Sequence, residues 1–262
     1  MPLKTLRAQG FSVVELVTVI AVLGILAIGS MRFLTDTSSG YARTQSRAVM
    51  VDAANSALFR MNRALRNALP GSVRVSGDCL EWLPVLDAQA YLTAPIGFSA
   101  NQARLLPLTS YTYTPNTRLA IEPRAGLYNL ASTGAVSPEI ASLSVGSGGE
   151  HVVAFTSVHQ FPNPSRVSRA FVVGTPSSYC VDEGALWRYQ DYGFLGTQPT
   201  TATLPSTGPG RAMEATGVTS ASQFSYVAPT LQRNGAVKVE LVVENAGDTL
   251  SLEKIISLRN LP

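Results

Sequence analysis

Glu15 is the residue whose chemistry most needs explaining. From Phe11 to Met31 every other position is apolar, small or hydroxyl-bearing, and a helix of that length spans about 30 Å of hydrocarbon. A carboxylate inside such a span costs on the order of 2.5–3.5 kcal/mol on insertion scales and is retained where it has a partner. The chemistry it offers is a desolvated ion pair. Other candidates are weaker. His151 and His159 lie on one predicted strand and share a face, but their spacing is too long for joint metal ligation, so both are read as structural or surface residues. Gly146-Ser147-Gly148-Gly149 places a serine in a glycine-rich loop, yet the residue directly before the serine is Gly146 rather than an acid and both histidines follow it, so a flexible turn is the simpler reading. There is no Cys-x-x-Cys, phosphate-binding loop or dinucleotide fingerprint. The expectation is a protein that is not an enzyme and takes no metal or cofactor.

The ten residues before Phe11 set the orientation of the span. Lys4 and Arg7 are their only charges, which keeps the short leading end in the cytoplasm and sends the remaining chain across the membrane. A secretory signal would carry its small-residue cleavage site after the apolar core. Here Gly10 stands before it. A cut between Gly10 and Phe11 would remove the basic leader, leave the spanning helix in place and create a new amino group close to Glu15.

These residues resemble the type IV pilins and the related pseudopilins of type II secretion. In that family the leader ends in Gly, the next residue is a Phe that becomes N-methylated, and the mature fifth residue is Glu; Gly10, Phe11 and Glu15 match those positions. Leu16 to Ala27 also reads like the family's spanning helix. Farther on, Arg63-Ala64-Leu65-Arg66-Asn67-Ala68-Leu69-Pro70-Gly71-Ser72-Val73-Arg74 and Cys79-Leu80-Glu81-Trp82-Leu83-Pro84 look like minor pilins of the mannose-sensitive haemagglutinin (MSHA) type. The resemblance implies a precursor processed and methylated at Phe11, with Glu15 pairing with a free amino terminus, that of a neighbour. It implies a prepilin peptidase, major and other minor pilins and an inner-membrane assembly platform as partners. The implied location is the bacterial inner membrane, single-pass with a periplasmic head, and then a filament, near its tip. The implied role is a minor subunit in assembly or initiation of a type IV pilus. Alternatives are a minor pseudopilin of type II secretion, an adhesive or DNA-binding tip module, and a membrane-anchored periplasmic enzyme.

The 262 residues leave one extracytoplasmic domain large enough to bury its own core. The formal charge of +3 includes Lys4 and Arg7, so net charge makes no case for nucleic acid. Arg43, Arg47, Arg60, Arg63 and Arg66 do give one helix a basic character, with Asp52 its only acid. They read as a fibre contact strip or as a solvated face; DNA is disfavoured because aromatics are not interleaved. Cys79 and Cys180 lie beyond the membrane, where an oxidising space points to a disulfide; two buried thiols are the alternative.

The expected fold is α+β and pilin-like: a cleaved leader (1–10), a membrane and fibre-core helix (11–34), an amphipathic extension (35–70) and a β-rich head (71–262). Val51, Ala54, Leu58, Met61, Leu65 and Ala68 form one apolar stripe from about Thr44 to Leu69, stopped by Pro70-Gly71. Thr35 to Gly40 are poor helix formers and predict a bend or break. Val237–Val243 and Leu250–Leu258 predict a terminal hairpin. Arg169–Val173 and Ala185–Tyr189 read as another, joined through Tyr179-Cys180 and the turn Asp182-Glu183-Gly184. Leu80–Val85 and Val152–Val158 read as further strands. Residues 86–150 and 196–222 lack periodicity and read as long surface loops.

Overall fold

Helix α1 runs without interruption from Val13 to Arg66. The structure, a computed structural model, describes residues 12–124, 127–130, 134–230, 233–245 and 247–259. No break occurs at Thr35–Gly40. The Oγ1 hydroxyls of Thr35, Thr37 and Thr44 donate to the carbonyls of Met31, Phe33 and Gly40, one turn earlier, at 2.8, 2.7 and 3.0 Å. Residues that compete with a helix for hydrogen bonds are here satisfied within it. Two units divide the chain, Met1–Val49 and Met50–Pro262.

In the second unit α1 buries Met50, Ala54, Ala57, Leu58, Met61 and Leu65, a stripe at helical spacing. Met50 replaces the predicted Val51, which lies just off the stripe and is exposed. The helix also ends earlier than predicted. The Asn67 and Ala68 amides donate to the carbonyls of Ala64 and Leu65, tightening the last turn, and the Leu69 amide has already left to bond the Leu83 carbonyl at 2.8 Å.

Strands β1 (Arg74–Ser76) and β2 (Cys79–Trp82) begin a platform. The chain then builds a closed six-stranded barrel from β3 (Val85–Thr93), β4 (Ala100–Leu105), β5 (Arg118–Ile121), β6 (Val136–Val145), β7 (His151–His159) and β8 (Arg169–Val173). It returns to the platform as β9 (Ser177–Asp182), β10 (Ala185–Tyr189) and β11 (Arg211–Thr216), in the order β1-β2-β9-β10-β11. A three-stranded meander of β12 (Gln223–Val227), β13 (Ala236–Asn245) and β14 (Asp248–Ser257) follows. The barrel is therefore an insertion between β2 and β9, which pair directly from Trp82–Ser177 to Cys79–Cys180.

The predicted terminal hairpin is β13–β14, whose inward residues Val237, Val239, Leu241 and Val243 alternate with half-buried neighbours. They join the helix stripe and the platform residues Leu80, Tyr179 and Leu186 in the largest core. The other predicted hairpin is corrected. Arg169–Val173 belongs to the barrel as β8, and the strand facing Ala185–Tyr189 is β9. Glu183 and Gly184, at φ of 48° and 72°, form the two-residue turn between them, the left-handed pair that a tight hairpin requires.

The reading of 86–150 as loop is also overturned, since that stretch supplies β3 to β6. Register shifts interrupt the pairing of β3 with β4 and β8, of β4 with β7, and of β6 with β5 and β7. Each bulge resets the two-residue period on which strand recognition depends. Residues 196–222 match the loop reading better, with β11 the only strand among them. Inside the barrel lie Leu105, Leu119, Ile121, Val153, Phe155 and Val172. Its β5–β8 wall is covered on the outside too, where Ala120, Phe171 and Val173 meet Leu69, Leu83 and Leu127.

Candidate functional site

In the first unit, Glu15 lies in the first turn of α1, where a carboxylate meets the positive end of the helix dipole. Ser12 opens that turn by accepting the Leu16 amide at 3.1 Å. From Val13 to Leu34 every side chain is exposed and, apart from Glu15, Arg32 and the small or hydroxyl-bearing positions, apolar. α1 is long and apolar enough to cross a membrane. Such a surface is satisfied by hydrocarbon or by other helices, not by water. Gly10 and Phe11 lie outside the described residues.

In the second unit the basic strip on α1 is partly committed. Arg60 pairs with Glu214, whose other carboxylate oxygen lies 3.3 Å from Arg188 Nε. One nearly buried carboxylate thus ties the helix to β10 and β11. Arg66 Nε donates to Asn62 Oδ1 at 3.2 Å. Only part of the predicted strip is left to meet a neighbour or solvent.

Cys79 and Cys180 form a disulfide. They face each other in the register of β2 and β9, with Cα atoms 4.2 Å apart, so the covalent link crosses the root of the inserted barrel.

A charged cluster that the motifs did not flag lies beside that root. The Glu81 side chain is fully buried and pairs with Arg74. Tyr192 donates its hydroxyl to the other Glu81 oxygen at 2.8 Å. Arg74 also donates to the carbonyls of Gly196 and Leu195, both at 2.7 Å, and stacks 3.6 Å from the Tyr128 ring centroid. Burial pushes the Glu81 carboxyl above the usual carboxylate range despite Arg74 and Tyr192, and raises the Tyr128 and Tyr192 phenols. The cluster fastens two irregular segments, at 127–130 and 192–196, to β1 and β2. Asp87 does similar work on the barrel. Its Oδ2 accepts the amides of Thr109, Ser110 and Tyr111 at 2.9, 2.8 and 3.0 Å, fixing the turn that follows β4.

The histidines are structural. His151 Nδ1 accepts the Leu108 amide at 3.1 Å. His159 Nε2 lies 2.8 Å from the Gly134 carbonyl, to which it donates, and the ring meets Phe161 edge-on. Burial lowers the His159 pKa. Ser147 sits in the β6–β7 turn, closed by the Gly149 amide on the Gly146 carbonyl at 3.1 Å. Among the described residues no group of His, Cys, Asp and Glu is arranged to hold a metal ion.

The described residues thus present an exposed apolar segment, residues 13–34, bearing one carboxylate, and a cross-linked head whose buried charges fasten its own segments. No family model, curated protein or solved structure matches the chain.

Proposed function

We propose that this chain is a minor subunit of a type IV pilus-like filament, anchored in the membrane before assembly and packed through α1 afterwards. The observation that carries the reading is the lone carboxylate in the first turn of an exposed apolar helix, directly after a Gly-Phe junction. Once subunits leave the bilayer, the apolar side chains that met lipid meet one another. Glu15 then pairs with the amino terminus of a neighbour, a desolvated pair that sets register more than it adds stability. A head with an inserted barrel is hard to repeat around a regular lattice. The subunit is accordingly placed in few copies near the tip, in an initiating complex with other minor subunits.

Mass spectrometry of the N-terminus tests the processing on which this depends. The wild-type chain is expected to begin at methylated Phe11, and Gly10→Val to leave a membrane-inserted precursor retaining Lys4 and Arg7. A wild-type chain beginning at Met1, or anywhere but Phe11, would sink the reading.

Glu15→Leu separates insertion from assembly. The substitution removes the charge that opposes insertion, so processed protein should accumulate in the membrane while its recovery in sheared filaments falls at least tenfold, the equivalent of roughly 1.4 kcal/mol. Immunogold labelling of the wild type should mark filament ends. Normal recovery of Glu15→Leu would show the pair to be dispensable, and labelling along the whole shaft would remove the tip assignment.

A further inference from the structure

Three arginines that are far apart in sequence line one small cleft in the second unit: Arg66 at the end of α1, Arg169 at the start of β8 and Arg259 just beyond β14. The cleft has a volume of about 110 Å³, and its other walls are largely apolar, with Val85, Ala88 and Phe171 among them. No carboxylate lines it. Elsewhere, Arg60, Arg74, Arg104, Arg118, Arg188 and Arg211 each lie within ion-pair distance of an acidic side chain. Among the described residues no such pair involves Arg66, Arg169 or Arg259; Arg66 has only the Asn62 amide oxygen. Arg63 and Arg166 likewise have no acidic partner at that distance among the described residues, but neither lines this cleft.

Three arginines that line one cleft without an acid favour an anion placed among them. The planar guanidinium fork matches a carboxylate or phosphate edge with two parallel hydrogen bonds. The size and lining of the cleft choose between anions. A bare anion gains nothing from apolar walls, whereas a small acidic group on a short aliphatic stem fits within the cleft and uses both the arginines and the walls. We propose that this cleft binds the carboxylate of a glutamate side chain presented by another protein. The arginines take the charge, and Val85, Ala88 and Phe171 take the methylene groups.

The proposal stands apart from the filament reading, because it is tested on unassembled protein. The full-length chain, purified in detergent and held at constant ionic strength, is titrated while the arginine Nε–H signals are followed by NMR. The probes are N-acetylglutamate amide, acetate and inorganic phosphate. The expected result is saturable, concerted shifts of Arg66, Arg169 and Arg259 with the glutamate probe, and affinity weakened about tenfold by Arg169→Gln or by Arg259→Gln, the scale of one charge-assisted pair in a partly open site. Arg166→Gln, nearby in sequence but outside the cleft, should leave the affinity unchanged. Arg259 lies outside every strand, so its variant keeps the test valid if Arg169→Gln disturbs the barrel. Unsaturable shifts shared by all exposed arginines would overturn the site. Acetate binding as tightly as the glutamate probe would overturn the role of the stem, and phosphate binding tighter by tenfold would overturn the carboxylate.

Discussion

Arg74→Met should cost the head about 3–5 kcal/mol, the scale expected when one partner of a buried ion pair is removed and the other stays behind. The residue left behind is Glu81, with no side-chain exposure. The same substitution strips two hydrogen bonds from the carbonyls of Leu195 and Gly196 and the cation from the face of Tyr128. Glu81→Gln should cost less. Burial already opposes ionisation of that carboxyl, and the Arg74 cation left behind keeps both carbonyls and its ring. The dependence on pH separates the two variants. A carboxyl whose folded pKa is raised contributes stability below its unfolded value, near 4.5, and loses it as the pH climbs through the folded value. Without Arg74 the folded value rises further, so stability of Arg74→Met should fall more steeply from pH 4.5 toward neutrality than that of the wild type. In Glu81→Gln that part of the fall should vanish. Denaturant melts of the full chain in detergent at several pH values measure this. Glu81→Gln more damaging than Arg74→Met, or a pH profile unchanged in both, would mean that the pair does not govern this region.

The second large effect is expected at the disulfide. Cys79 and Cys180 are 101 residues apart, and closing a loop of that length contributes about 4–5 kcal/mol through the entropy of the unfolded chain. The paired replacement Cys79→Ala with Cys180→Ala avoids leaving a reactive thiol, and should lower steady-state abundance sharply and expose the head to proteolysis. On a non-reducing gel the wild type should run faster than its reduced form, and the variant should show no such difference. Two alkylatable thiols in wild-type protein taken from its native compartment would refute the bridge.

How far the fold could be read from sequence depended on whether one physical signal acted alone. The α1 stripe, the β13–β14 hairpin and the disulfide were each announced by a single periodicity or a single pair of residues. The barrel was not, because its bulges break the two-residue alternation and its β5–β8 wall is buried on both faces. Leu119-Ala120-Ile121 and Ala170-Phe171-Val172-Val173 are therefore continuous apolar runs with no inward and outward side to distinguish. Assigning β8 to the wrong partner followed from that: two short apolar strands flanked one good turn, and the nearer strand, β9, holds it. Glu81 carried a signal that could have been used. It is one carboxylate in the apolar run Cys79-Leu80-Glu81-Trp82-Leu83, the same pattern that singled out Glu15. Three arginines meeting from α1, β8 and the end of the chain gave no local signal at all, since only the closed fold brings them together.

The way the barrel is inserted also determines how the head would carry a mechanical load. Tension on the barrel enters the platform through the two connections that leave β2 and β9, and so pulls on the Trp82–Ser177 rung first. Force applied there peels the two strands apart one rung at a time, the weakest way to load a hydrogen-bonded ladder. Glu81–Ser178 and Leu80–Tyr179 would open next, and Cys79–Cys180 is the rung after them. At that point peeling meets a covalent bond. The tear is confined to three rungs, and the core residues beyond the bridge, Val181 and Leu186 among them, are shielded from a pull that reaches the barrel.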